Sequence, residues 1–343
     1  SDAIQVRNYE TISRDNNSTA SMMLPTYTGS AFYDEENKFS KLSFDDIFNN
    51  KQTIKTKDSW ISMIEHYFFS AWLPTSSKQR IIYTNYENNI YTIGSSTNYQ
   101  SIDTNQSGSF KSLMYVGPKL QSEISNLTAG LDLTVDYGVL TFLSAPLFWI
   151  LDSINYIFDN WGLSIIILTI LIKAVFFKLS ESSYRSMAQM KKLNPRMQAL
   201  KERYAEDKKK FSEALMRMYK EEKVNPLGGC LPILIQIPVF IALYWVLVES
   251  IEIRHAPFFG WIHDLSSADP YFILPIAMGV SMYIQQKLNP APTDPTQQKI
   301  FMFLPFIFTA LFATFPSGLV LYWLTNNVLS IAQQYVINKR IVG

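Results

Sequence analysis

The residues of this chain most able to do chemistry are polar ones set inside long apolar runs. Lys173 lies twelve residues beyond Trp161, so a helix would carry it about 18 Å into a bilayer from that end. A charge at that depth costs several kcal/mol unless water or a partner receives it. The apolar runs hold no Asp or Glu to pair with it. Gln236, Gln285, Gln286, Asn326, Asn327 and Gln333 stand at middle or inner depth of other runs. Singly, each reads as hydrogen-bonding glue between helices. Lys173 alone reads equally as a side chain snorkelling to the inner headgroups.

Prolines sharpen the pattern. Pro226, Pro232 and Pro238 recur through one run, and the latter two, inside the expected helix, would free the carbonyls of Gly228 and Leu234. Freed carbonyls are tolerated at membrane depth where water or side chains satisfy them. Ser164–Leu168 and Ala242–Val248, on the outer side, offer few equivalents. The expectation is a water-filled cavity that opens to the cytoplasm and closes outward, which is not a through-pore. Other chemistry finds little support. Ser317 beside Gly318 has no His at like depth for a triad. P-loop and HExxH patterns are absent, and the three histidines are scattered. His66, among aromatics, is expected to be a packed core residue. A single cysteine, Cys230, excludes an intramolecular disulfide and a Cys-built metal site. The expectation is no catalytic residue, no cofactor and no metal.

The 343 residues, net charge +1, average two unlike halves. Near-zero charge argues against a nucleic-acid partner. Residues 1–136 are rich in Asn, Ser, Thr and Tyr, whereas the rest holds five runs near the length a bilayer requires. These are Trp161–Leu179, Leu227–Val248, Tyr271–Leu288, Ile300–Phe315 and Gly318–Ile337, the last two parted by a Pro-Ser-Gly turn. Residues 137–160 suit an interfacial amphipathic helix or a short buried one.

Charge orients the spans. Residues 180–224 carry twelve Lys and Arg against seven acids, whereas 249–269 has one Arg against four acids. The positive-inside rule places 180–224 and the Lys339-Arg340 end in the cytoplasm and residues 1–160 outside. A polar domain that size needs a signal or anchor helix to cross, so one is expected ahead of Ser1. Met187, Met190, Leu193, Met197, Leu200 and Tyr204 share a helical face, interrupted at Pro195 by a kink or restart. Phe211, Leu215, Met218 and Tyr219 make a second face. Two such helices form an antiparallel hairpin whose faces pack together. Its Met-rich, basic character would also suit apolar client segments and anionic lipids.

The outer part reads as mainly β. Ile81–Tyr86 and Ile90–Gly94 flank Asn88-Asn89, a hairpin signal. Phe110–Val116 reads as a strand stopped by Gly117-Pro118, with a helix from Lys119 to about Ala129, and Trp60–Leu73 reads as strand. Asn17-Ser18-Thr19 and Asn126-Leu127-Thr128 match the glycosylation pattern, which is frequent by chance.

Four stretches of the helical half stand out: Asn160-Trp161-Gly162-Leu163-Ser164-Ile165-Ile166, Asn225-Pro226-Leu227-Gly228-Gly229-Cys230, Trp261-Ile262-His263-Asp264-Leu265-Ser266 and Phe315-Pro316-Ser317-Gly318-Leu319-Val320-Leu321-Tyr322. Together they resemble the YidC/Oxa membrane insertase family. Tyr115-Val116-Gly117-Pro118 and Leu131-Asp132-Leu133-Thr134-Val135-Asp136-Tyr137-Gly138 resemble the periplasmic domain of Gram-negative members. The resemblance implies an α-helical polytopic membrane protein: a five-helix core over 161–343 with the 180–224 cytoplasmic hairpin, behind a partial, β-sandwich-like periplasmic domain over 1–136. It also implies insertion and folding of inner-membrane proteins, alone or with the Sec translocon, with nascent membrane proteins as clients and the ribosome as a further partner. By resemblance, Lys173 occupies a groove position that is usually Arg, and Thr169, Gln286 and Trp323 match other groove-lining positions, beside the Gln236 and Asn326 noted above. Lys keeps the charge but lacks the planar fork of Arg. The hairpin, with Met187, Met190, Met197 and Met218, is similar to the family's client-receiving loop. A transporter or channel is the alternative. It would show polar lining on both sides of the midplane and inverted repeats, and neither is visible here.

Overall fold

Alternating, β-branched and aromatic runs before residue 136 form strands in the computed structural model, which describes residues 2–13, 26–75, 79–204, 207–222, 224, 231–289 and 295–341. The Asn17 site and the Asn225–Cys230 motif lie outside these residues. The chain divides into two compact units, Ser1–Asp136 with Glu249–Glu252, and Tyr137–Val248 with Ile253–Gly343.

The first unit contains β1 (Asp2–Ile4), β2 (Arg7–Ser13), β3 (Gly29–Asp34), β4 (Lys38–Leu42), β5 (Thr53–Lys57), β6 (Trp60–Ile64), β7 (Phe68–Leu73), β8 (Gln79–Glu87), β9 (Ile90–Thr97), β10 (Gln100–Ile102) and β11 (Leu113–Pro118). Two antiparallel sheets have the orders β11-β7-β6-β3-β4 and β2-β9-β8-β5, and β1 pairs with β10 in a separate two-stranded ribbon. Helix α1 (Phe44–Asn49) starts at a Ser43–Asp46 capping box. Phe32, Ile61 and Met63 of one sheet meet Ile82 and Ile93 of the other and Ile47 of α1 in a common core. The β8–β9 hairpin turns on Asn88 and Asn89, whose φ values of 50° and 64° suit a two-residue turn.

Three sequence expectations need correction here. The last strand runs through Gly117-Pro118, Pro118 lying opposite Phe68, because an edge strand loses no ladder bond to proline. The expected Lys119–Ala129 helix shrinks to α2 (Gln121–Ile124). Asn126 Nδ2 donates to the Ser122 carbonyl at 2.8 Å, a local bond that competes with helix. His66 is a partly exposed ring stacked on Tyr67 at 3.8 Å, with Nε2 3.9 Å from Glu249 Oε1, rather than a core residue.

Glu10 on β2 is buried, accepts a hydrogen bond from Ser70 through Oε2, and has no partner for Oε1 among the described residues. Burial raises its pKa, against the lowering pull of Ser70. The folded state therefore favours the protonated acid. That stabilisation is complete below the usual carboxylate pKa and is lost as pH rises through the raised value. Glu10→Gln is expected to stabilise the protein by about 1 kcal/mol near neutral pH and to flatten this decline. Denaturant unfolding at acidic and neutral pH measures both.

The second unit is helical: α3 (Thr141–Phe158), α4 (Trp161–Val175), α5 (Phe177–Arg203), α6 (Lys208–Glu221), α7 (Leu231–Glu249), α8 (Ile273–Leu288), α9 (Pro295–Phe312) and α10 (Ser317–Ile341). Among the described residues, Gly138–Phe158 is the one helix that is long and apolar enough to cross a membrane unaided. A second candidate exists if α4 and α5, bent by 69° at their break, form one broken span. The five runs read from the sequence therefore correspond to less uniform helices. The first breaks at Phe176. Helix α8 is 16 residues long, about 24 Å against the roughly 30 Å of a hydrocarbon core. It starts late because Phe272 takes a left-handed φ of 58°. Helix α10 is long enough, but Asn326, Asn327, Gln333 and Gln334 lower its hydropathy.

Close packing fixes these helices. A Cβ at Gly162 would lie 2.1 Å from the Phe258 ring, whose own backbone N–H is bonded to Ile262 at 3.0 Å. Gly162→Ala is expected to cost about 1–3 kcal/mol, read as a lower thermal midpoint in detergent.

Candidate functional site

Lys173 sits in the last turn of α4, just before the break. Its Nζ donates to Ser330 Oγ of α10 at 2.7 Å. Ser330 in turn donates to the Asn326 carbonyl at 2.7 Å. The polar residues of α10 recur at helical spacing, and several reach partners on neighbouring helices. Asn327 donates to Ser281 Oγ of α8 at 3.0 Å, and Gln334 to Asn289 at 2.9 Å. Gln333 reaches the Phe177 carbonyl at 3.2 Å, a main-chain acceptor at the α4–α5 break. Helix α10 packs on α4, α5 and α8.

Between α4, α5, α7 and α10 lies a cavity of ≈ 30 Å³, room for roughly two waters. Lys173, Gln236 and Asn326 line it, together with Ser180, Tyr322 and Val239. Pro238 lies inside α7 and leaves the Leu234 carbonyl without its helical N–H. The Gly228 carbonyl, expected to be freed by Pro232, lies outside the described residues.

The remaining expected groove residues stand elsewhere. Thr169 is buried and donates to the Ile165 carbonyl of its own helix at 2.6 Å. Trp323 packs among Phe240, Phe308 and Phe312, its Nε1 unpartnered among the described residues. Gln286 is half-buried on α8 and does not line this cavity. Sequence reasoning missed Ser330, the hydroxyl that receives the lysine. Its signal was a position four residues after Asn326, on the same face of α10.

The 180–224 region holds two helices, α5 and α6. Helix α5 continues through Pro195, so the chain does not restart there as a new helix. Pro195 is on the exposed side, where water can serve the freed Lys191 carbonyl. Asp207 caps α6 by accepting from the Lys210 N–H at 3.0 Å. Met187, Met190, Met197 and Met218 are buried together with Tyr184, Leu193 and Ile337.

The loop after α7 is ordered by two carboxylates. Asp264 accepts from Ser266, Ser267 and the His255 N–H. Burial raises its pKa, but these bonds outweigh it and hold the carboxyl below its ordinary value. Asp269 accepts from Trp261 Nε1 at 3.0 Å and the Leu274 N–H at 2.7 Å, capping α8. Ser317 donates its hydroxyl to the Asp264 carbonyl at 2.9 Å, a structural role.

Comparison with known proteins agrees with this architecture. A family model described as "60Kd inner membrane protein" matches residues 153–343, and one described as "YidC periplasmic domain" matches residues 1–150. A protein named membrane protein insertase YidC from Methylobacillus flagellatus is 54% identical over 333 residues, covering 96% of this chain and 60% of that protein. The protein of the same name from Alkalilimnicola ehrlichii is 53% identical, covering 92% of this chain and 56% of that one. The chain thus spans about 60% of the length of these relatives. A crystal structure of an active YidC insertase, with its first transmembrane domain resolved, superposes with a TM-score of 0.52 at 19% identity, covering 90% of this chain and 83% of that one. A β-rich amino-terminal part followed by a helical core is thus shared with that fold, and the chain belongs to the 60Kd inner membrane protein family, carrying the YidC periplasmic domain ahead of its helices.

Proposed function

We propose that this chain is the working part of a membrane protein insertase of the bacterial inner membrane. The observation that carries the reading is a lysine at the end of an apolar helix, bordering a small, mainly apolar cavity into which Gln236, Asn326 and Ser180 bring polar groups, and held by a hydroxyl rather than an acid. A carboxylate would compete well for such a cation. A hydrated recess would shorten the apolar path of a client's polar tail, and Lys173 would offset part of the dehydration of an acidic one. The client's hydrophobic segment supplies the driving force as it enters lipid.

In this reading Thr169, Gln286 and Trp323 form the wider groove wall. The 180–224 hairpin lies in the cytoplasm, beside anionic lipid headgroups, and receives the client. Its buried methionines would meet that client only when α5 and α6 part. Residues 1–136 face the periplasm, and nascent chains arrive from the ribosome directly or through the Sec translocon.

The test reconstitutes the full-length protein in proteoliposomes with a single-span client whose short outer tail carries an acid. Insertion is read by protease protection, and flux of a small solute is read in parallel. Insertion without flux supports the proposal. Flux without insertion favours a transporter and overturns it.

A further inference from the structure

Arg80, the second residue of β8, pairs with Thr97 of β9 on one side and Thr56 of β5 on the other. It is only 6% exposed. Its Nη2 donates to Thr75 Oγ1 at 3.3 Å, and its enclosed Nε has no partner among the described residues. Asp58 acts on it through space, yet no described carboxylate forms an ion pair with it. A buried guanidinium without a counter-ion is costly and is retained where something compensates the charge.

The compensation has a place to bind. Arg80 lines a cavity of ≈ 240 Å³ in the β unit, with Lys111, Asn8, Ser95 and Gln100 among its walls and no acidic residue among the described residues that line it. Thr75 ties the cavity together, donating to the Lys111 carbonyl at 3.0 Å while receiving Arg80. Asn8 holds the facing segment through Ser112 Oγ at 3.1 Å. One buried cation and one rim cation, surrounded by neutral hydrogen-bonding groups, suit a singly charged planar anion better than a dianion. The volume lies below that of drug-sized sites, which fits a small acid or the end of a chain.

We propose that this cavity is a carboxylate-binding site, with Arg80 as the anchoring cation, Lys111 as the rim cation and the surrounding amides and hydroxyls reading a peptide terminus. The site lies wholly within the β unit and does not depend on the insertase reading.

The test titrates the whole chain in detergent, at low salt, with N-acetyl-Gly-Gly as the free acid, with its C-terminal amide, and with inorganic phosphate, by calorimetry. Expected are binding of the acid, at least tenfold weaker binding of the amide, and weaker binding of phosphate. Arg80→Gln should abolish acid binding and Lys111→Gln should weaken it several-fold. Should Arg80→Gln fail to fold, Lys111→Gln and Thr75→Val, both at exposed positions, decide the matter. Equal affinity for acid and amide, no binding of the acid, tighter binding of phosphate, or affinity untouched by Lys111→Gln and Thr75→Val would each overturn the proposal.

Discussion

If the proposed function holds, Lys173→Gln is expected to lower insertion of an acid-tailed client by about tenfold, equivalent to about 1.4 kcal/mol. The same change is expected to leave a neutral-tailed client nearly unaffected. The magnitude follows from electrostatics at a partly hydrated site. Two unit charges about 4 Å apart are worth roughly 4 kcal/mol at an effective dielectric of 20, and dehydrating the pair removes much of that. Lys173→Arg should retain most activity, since charge matters more here than shape. Ser330→Ala separates the alternatives. It deletes the hydroxyl that holds Nζ at 2.7 Å without removing charge, so it should disturb insertion less than Lys173→Gln. Equal loss for acidic and neutral tails in Lys173→Gln would mean the lysine acts through helix packing and not on the client.

Glu249→Leu is expected to destabilise the β-rich unit by about 1–3 kcal/mol, the cost of leaving a buried group without its compensating partner. Lys119 and Glu249, both assigned to that unit, are each 1% exposed. Burial pulls the Lys119 pKa down to about 8, and the negative charge of Glu249 opposes that pull. Removing Glu249 leaves a buried ammonium without its principal counter-charge; Asp136, already paired with Lys41 at 2.5 Å, also acts on it. Replacing both partners, as Lys119→Met with Glu249→Leu, should recover much of the loss, because a packed apolar pair bears no desolvation cost. Denaturant unfolding followed by the β-sheet circular dichroism signal measures the cycle. Additive losses in the double variant would show that the two charges do not interact.

Much of the architecture was legible along the chain because it depends on neighbours in sequence. Asn88-Asn89 marked a hairpin through the backbone freedom of asparagine, and the methionines of 187–197 marked a buried face through helical spacing. Breakers were misjudged where their cost depends on position. Pro118 costs little on an edge strand, and Pro195 is accommodated on an exposed helix face. Neither setting can be read locally.

The candidate site divides in the same way. Sequence alone determined that an unpaired cation stands deep in an apolar run, that the chain joins a polar β-rich part to apolar helices, and which face of the hairpin is buried. Only the tertiary structure decided that Ser330, 157 residues away, receives Lys173. It also placed Gln236 and Asn326 at the cavity and left Thr169, Gln286 and Trp323 outside it, and it buried Arg80 and Lys119. The physical reason is that periodicity specifies which face of an element is polar. The partner across that face depends on the rotation and height at which two helices, or two sheets, finally pack.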